Sequence, residues 1–157
     1  MKLKIVKGDD IEMLKEIINN RINVVEKVEN WEEAIKVAAK PLVDDLSVKE
    51  SYVEAMIENV KKFGTYIVVA PKVAMPHSRP EHGVNKNCLS LLKINEGIFF
   101  GDDTDEEDKV YLVFVLGTVN NDSHINTLTQ LMNIIDDEEK IEKLSELKTV
   151  SEIKELL

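Results

Sequence analysis

The chain has 157 residues, and its 43% hydrophobic and 32% charged side chains are sufficient for one buried core in a single domain over residues 1–157. A net charge of −10 argues against nucleic acid and anionic membrane surfaces as partners. Cys88 is the only cysteine and cannot form an internal disulfide. The apolar runs are far shorter than the ~20 residues that span a bilayer. We therefore expect a cytoplasmic, acidic protein.

The first third of the chain is rich in helix signals. Apolar residues recur at helical spacing over residues 11–18, and a β-prone run, Ile22–Val28, follows. Asn30 and Glu33 form a capping-box pattern that predicts the start of a helix. Pro41 should end or kink this helix, because proline lacks the backbone N–H and its ring clashes with the preceding turn.

A second capping pattern, Ser47 with Glu50, predicts another helix that ends at Gly64. Beyond it the chain changes character, because short runs rich in β-branched and aliphatic residues are bounded by turn-formers. Their nearly continuous apolarity predicts strands that are covered on both faces. These runs are Tyr66–Ala70, Leu89–Ile94 and Val110–Leu116.

The last forty residues return to helical periodicity, after an acidic segment at 101–109 that reads as a solvated loop. Apolar stripes run over residues 125–135, 141–147 and 150–156, and Thr149 with Glu152 forms a capping box before the last. Helices, a strand-rich centre and further helices predict a three-layer α/β/α domain with a small mixed central sheet. The apolar faces of the three C-terminal helices permit a homodimer.

His77 lies in a loop that two flanking prolines stiffen, directly after a strand-like run. A stiff loop suits an imidazole that is presented to a partner rather than packed in a core. Arg79, two residues further on, offers a planar fork of donors for an anion. His82, beside Gly83, is expected to be exposed and outside the site.

His124 falls in the first turn of a predicted helix that follows the third strand, where unsatisfied N–H groups favour anions. A loop leaving one strand and a helix leaving another can meet at the same edge of an α/β sheet. His77, Arg79 and His124 together would then surround a phosphoryl group.

Other interpretations of these residues remain open. A lone histidine is more often a surface or core residue than a catalyst, and a two-histidine metal site would need a third ligand that no recognisable spacing supplies. The serines lack the Gly-x-Ser-x-Gly context of a hydrolase nucleophile, and no Gly-rich fingerprint for ATP or NAD occurs. We therefore predict neither a metal nor a cofactor, and expect Cys88 to be a small core residue.

The motif APKVAMPHSRPE around His77 resembles the IIA (EIIA) proteins of the bacterial sugar phosphotransferase system (PTS), of the mannitol/fructose (type 2) superfamily. The ascorbate-specific branch is the more similar, because mannitol and fructose relatives usually carry Pro-His-Gly or a close variant without Arg-Pro-Glu. The resemblance covers roughly residues 30–157. Other matching segments are Gly97–Gly101, Val110–Leu116 and Asp122–Ile125.

This resemblance implies that His77 is the phosphorylated residue and His124 the second active-site imidazole, with Arg79 assigned from its place in the motif. The family accepts a phosphoryl group from the phosphocarrier protein HPr and passes it to a IIB (EIIB) component. IIB then phosphorylates a sugar that enters through the membrane component IIC (EIIC). The resemblance thus implies a phosphotransferase that serves the uptake of L-ascorbate or a related sugar.

Two alternatives stay open beside this relay function. The same fold serves as a regulatory module that signals phosphorylation state to a partner protein without feeding transport. A plain interaction domain would require both histidines to be incidental.

Overall fold

The computed structural model describes residues 14–102 and 104–157, except for the side chains of residues 121–124 and 126. Within these ranges the strands form one mixed sheet in the order β1-β4-β5-β3-β2. The strands are β1 (Ile22–Val25), β2 (Val68–Ala70), β3 (Val73–Ala74), β4 (Cys88–Ile98) and β5 (Val110–Gly117).

The pairing of strands places β3 and β5 side by side in the same direction. β1 runs parallel to β4, β4 antiparallel to β5, β5 parallel to β3, and β3 antiparallel to β2. In the β3–β5 pair, Val73 lies opposite Leu112 and Ala74 opposite Val113. The segments that leave these two strands therefore start from the same edge of the sheet.

Helices cover both faces of the sheet, and the predicted three-layer α/β/α architecture is confirmed. One apolar core packs the sheet against α1 and α2, and a second packs it against α3, α4, α5 and the helical residues 14–18. Successive residues of β5 alternate between the cores, since Val113 faces the first and Phe114 the second. The helices are α1 (Trp31–Asp44), α2 (Glu50–Phe63), α3 (Asn121–Ile135), α4 (Glu138–Glu146) and α5 (Val150–Leu156).

Several helix ends follow the local sequence signals. The Asn30 side chain accepts a hydrogen bond from the Glu33 N–H at 2.8 Å, and Thr149 Oγ1 accepts one from the Glu152 N–H at 3.2 Å. Gly64 ends α2 with a φ of +84°, a conformation that favours glycine. These three boundaries are confirmed.

Two helix predictions need correction. The Ser47 and Glu50 pattern does not cap α2, because the N-cap residue is Lys49 and the Ser47 hydroxyl instead donates to Asp45 at 2.5 Å. Pro41 does not end α1, since its carbonyl oxygen still accepts the Asp45 N–H at 3.2 Å and closes a further turn.

The strands differ from prediction mainly in length. β1 stops before the predicted Val28, β2 begins after the predicted Tyr66, and β4 extends to Ile98. β3 was not predicted, because two residues are too few to show a periodicity. The predicted helical stripe that begins at Ile11 lies outside the described residues up to residue 13.

Candidate functional site

The structure brings the chain segments that carry His77 and His124 to one edge of the sheet. The loop after β3 continues alongside the end of β5, where the Leu116 N–H donates to the Pro76 carbonyl oxygen at 3.4 Å. β5 then leads within a few residues into α3, whose first turn includes position 124. The His124 side chain lies outside the described part of the chain, so its role stays a prediction.

The His77 ring is half-buried and held in one orientation from within its own loop. Its Nδ1 lies 2.9 Å from the Met75 carbonyl oxygen. Because a carbonyl oxygen can only accept, Nδ1 carries the hydrogen and the lone pair of the neutral ring is on Nε2. The Tyr66 ring packs edge-on against the imidazole, with centroids 6.0 Å apart at 76°.

A buried hydroxyl fixes the backbone on the other side of His77. Tyr52 Oη on α2 accepts the Ser78 N–H at 3.0 Å and donates to the Leu116 carbonyl oxygen at 2.5 Å. Burial raises the pKa of the Tyr52 hydroxyl, which therefore stays protonated and can serve as donor and acceptor together. One side chain thus connects α2, the His77 loop and the end of β5.

A polar cluster surrounds the Ser78 side chain. Ser78 Oγ lies 2.6 Å from His82 Nδ1 and accepts a hydrogen bond from Asn59 Nδ2 at 3.1 Å. The short turn Pro80–His82 folds the chain back so that His82 faces Ser78. The His82 carbonyl oxygen accepts from Ser51 Oγ at 2.8 Å, which ties the turn to α2. His82 is exposed, as expected, yet it is bonded to the residue next to His77.

Arg79 does not join this cluster in the structure. Its side chain is 78% exposed, and its guanidinium lies 3.9 Å from a Glu81 carboxylate oxygen rather than against His77. An exposed pair at this distance contributes little stability. The guanidinium is therefore held only weakly in its present position.

Sequence reasoning missed the parts that α2 contributes to the site. Tyr52 lies within the apolar stripe of a predicted helix. The only sequence signal for a role in the site is that a buried tyrosine hydroxyl needs a hydrogen-bond partner. Asn59 lies on the same helix without any motif. Asn59 also influences the pKa of the Tyr66 hydroxyl. Burial raises this pKa, and a hydrogen bond with Asn59 opposes the rise.

Two further findings concern the described residues alone. They contain no cluster of three or more histidine, cysteine or carboxylate side chains arranged to hold a metal ion. No helix among them has the length and apolar character that crossing a membrane requires.

Comparison with known proteins identifies relatives over most of the chain. The family model for the phosphoenolpyruvate-dependent sugar phosphotransferase system, EIIA 2, matches residues 16–157. The ascorbate-specific PTS system EIIA component of Escherichia coli K12 is 33% identical over 140 residues, which cover 88% of this chain and 90% of that protein. The resemblance seen in the sequence is thereby confirmed.

Solved structures of enzyme IIA proteins share the fold of this chain. The mannitol-specific cryptic phosphotransferase enzyme IIA CmtB from E. coli superimposes with a TM-score of 0.79 at 28% identity, covering 90% of this chain and 97% of that one. The E. coli mannitol enzyme IIA, solved in complex with phosphorylated enzyme IIB, gives a TM-score of 0.74 at 33% identity, covering 88% and 94%. This chain belongs to the EIIA 2 family of the phosphoenolpyruvate-dependent sugar phosphotransferase system.

Proposed function

We propose that this chain accepts a phosphoryl group from phosphorylated HPr on His77 Nε2 and passes it to a IIB component. The sugar served is L-ascorbate or a related compound that enters through IIC. Family membership supports the class of reaction, and the ascorbate-specific EIIA relative supports the substrate. The mannitol enzyme IIA solved with phosphorylated enzyme IIB supports IIB as the partner that receives the group.

The observation that carries this proposal is the hydrogen bond between His77 Nδ1 and the Met75 carbonyl oxygen. It favours the tautomer whose lone pair is on Nε2. That lone pair forms the new N–P bond as the N–P bond to the donor imidazole breaks and its electron pair returns to the donor nitrogen. The ring becomes cationic during attack, and the Met75 carbonyl dipole stabilises that charge through Nδ1–H.

Transfer between two histidines is nearly isoenergetic, so the protein mainly has to position the groups and stabilise spread negative charge. The half-buried ring and the clamp by Tyr52 support such positioning. We assign this charge stabilisation to His124 and Arg79. The weak pairing of Arg79 with Glu81 would yield readily to a dianionic phosphoryl group.

The test is to incubate the chain with phosphorylated HPr and to measure its intact mass. Wild-type protein should gain the mass of one acid-labile phosphoryl group, because a phosphoramidate bond hydrolyses in acid. His77→Ala should gain none, and His124→Ala should gain it more slowly while keeping the wild-type melting temperature. Glu155→Gln, an exposed change on α5, serves as the matched control and should match the wild type.

Undiminished labelling of His77→Ala would overturn the assignment of the acceptor. Adding a purified IIB component to the labelled chain then tests the second half of the relay. Loss of the label to IIB supports transport, whereas a label that stays on the chain would instead favour the regulatory alternative.

A further inference from the structure

The direction in which the Ser78 hydroxyl hydrogen points depends on the neighbouring His82 ring. A serine hydroxyl has one hydrogen and two lone pairs, and Asn59 Nδ2 donates to one of those lone pairs. The 2.6 Å contact with His82 Nδ1 uses either the hydrogen or the remaining lone pair. Which of the two it uses depends on the charge of His82.

A neutral His82 ring with its hydrogen on Nε2 accepts the Ser78 hydrogen at Nδ1. A charged ring carries hydrogen on both nitrogens, so Nδ1 must donate to Ser78 Oγ instead. Since Asn59 already donates to the same oxygen, the Ser78 hydrogen is then released toward another acceptor. The protonation of His82 therefore converts Ser78 from a group that donates to His82 into one that can donate elsewhere.

Ser78 directly follows His77 in a loop whose backbone is clamped on both sides of the histidine. We propose that His82 is a positioning residue for phosphoryl transfer, and that its charged form releases the Ser78 hydroxyl to donate to a phosphoryl oxygen on His77. This inference rests on the proposed function. It brings into the reaction a histidine that the sequence analysis left outside the site.

The side chains that hydrogen-bond to His82 in the described part of the chain are neutral. On its own turn Arg79 and Glu81 lie opposite each other, and no ion pair joins His82 to a carboxylate among the described residues. From α2, the contacting groups are the neutral side chains of Ser51, to the His82 carbonyl oxygen, and Asn59, through Ser78. At the start of α2, the Lys49 N–H donates to the Gly83 carbonyl oxygen at 2.8 Å.

Phosphorylation of His77 should therefore favour the cationic ring of His82, because negative charge is added nearby. We expect the ring-nitrogen resonances of His82, measured at the same pH in phosphorylated and unphosphorylated protein, to move toward those of the cationic ring. Ser78→Ala removes the connecting hydroxyl and should reduce this change to less than half. Unchanged His82 resonances on phosphorylation would overturn the inference.

Transfer rates supply an independent readout that a merely structural role would not move. Single-turnover uptake from phosphorylated HPr at about pH 5.5 should be about 3–10-fold slower in Ser78→Ala than in the wild type, whereas His82→Ala should keep a fast rate up to about pH 8.5, because no ring then holds the Ser78 hydrogen. The double variant should be as slow as Ser78→Ala alone, because His82 acts only through the Ser78 hydroxyl. A double variant that is slower than Ser78→Ala would contradict the proposal.

The conservative variant His82→Asn separates charge from hydrogen bonding. Its amide oxygen can accept the Ser78 hydroxyl at every pH, so transfer should be slower than in His82→Ala and should lack the pH dependence proposed for the wild type. A wild-type profile in His82→Asn would overturn the inference. Should wild-type protein take up no phosphate, the proposed function fails as well, whereas uptake without any change in the His82 resonances defeats this inference alone.

Discussion

Individual side chains around His77 divide into those that local sequence reveals and those that it does not. His77 and Arg79 stand out because prolines and a distinctive motif surround them. The bond between Ser78 and His82 depends on a turn that reverses the chain, which spacing alone does not indicate. Tyr52 is harder still to recognise, because its partners lie 26 and 64 positions away in the sequence.

Tyr52→Phe is expected to lower the free energy of unfolding by about 1–3 kcal/mol, since the Ser78 N–H would lose its buried acceptor. Chemical denaturation at neutral pH measures this change. Tyr111→Phe is the matched control and should change it by less than about 0.5 kcal/mol, because its ring is only half-buried and its hydroxyl has no partner among the described residues.

The same substitution should alter stability at alkaline pH. Because burial raises the pKa of Tyr52 in the folded state, its contribution is complete below the ordinary tyrosine pKa of about 10 and is lost as the pH rises above it. Wild-type stability should therefore fall more steeply above about pH 10 than that of Tyr52→Phe. Equal slopes for the two proteins would show that Tyr52 is not buried as described.

Helices and strands were predictable to the extent that their determinants are local. The caps at Asn30 and Thr149 were found because each bond joins residues three positions apart. Ser47 was misassigned because its hydroxyl is engaged by Asp45, which is itself paired with Arg21 at 2.8 Å from a distant part of the chain. The limits of the strands depend on pairing partners, and those are not local either.

The pairing of β4 with β5 offers a test of close packing between elements. Cys88 lies opposite Gly117, and a Cβ added at Gly117 would meet the buried Cys88 Sγ at 2.8 Å. Gly117→Ala should therefore lower the free energy of unfolding by about 1–3 kcal/mol. Adding Cys88→Ala should recover part of that loss, because the smaller side chain removes the nearest contact. Additive losses in the double variant, measured by urea unfolding, would contradict this account.

At the level of the whole molecule, the nearly continuous apolarity of the predicted strands made the three layers predictable, whereas the order of the strands in the sheet was not predictable. The exposed large apolar side chains of the described residues are unevenly placed. Phe63 is 64% exposed and contacts Tyr66, which in turn packs on His77. Val119 and Ile125 flank the first turn of α3. Exposed apolar groups around His77 on a charged protein favour a docking surface for a protein partner, which under the proposed function is HPr or IIB.

Phe63→Ser is expected to raise the KM for phosphorylated HPr about 3–10-fold while leaving single-turnover transfer at saturating carrier close to the wild type. Its exposure means that the melting temperature should hardly change. Leu46→Ser is the matched control, since Leu46 is 73% exposed and its carbonyl oxygen bonds Asn85 rather than the His77 loop. Equal effects of the two substitutions on KM would argue against docking at Phe63.

The parallel pairing of β3 with β5 has a mechanical consequence. The loop of His77 and the start of α3 extend from strands that are hydrogen-bonded to each other, so bending or shearing of the sheet moves both in the same direction. We therefore expect the separation between these two segments to vary less, as the sheet bends, than the distance of either from the far edge strand β1.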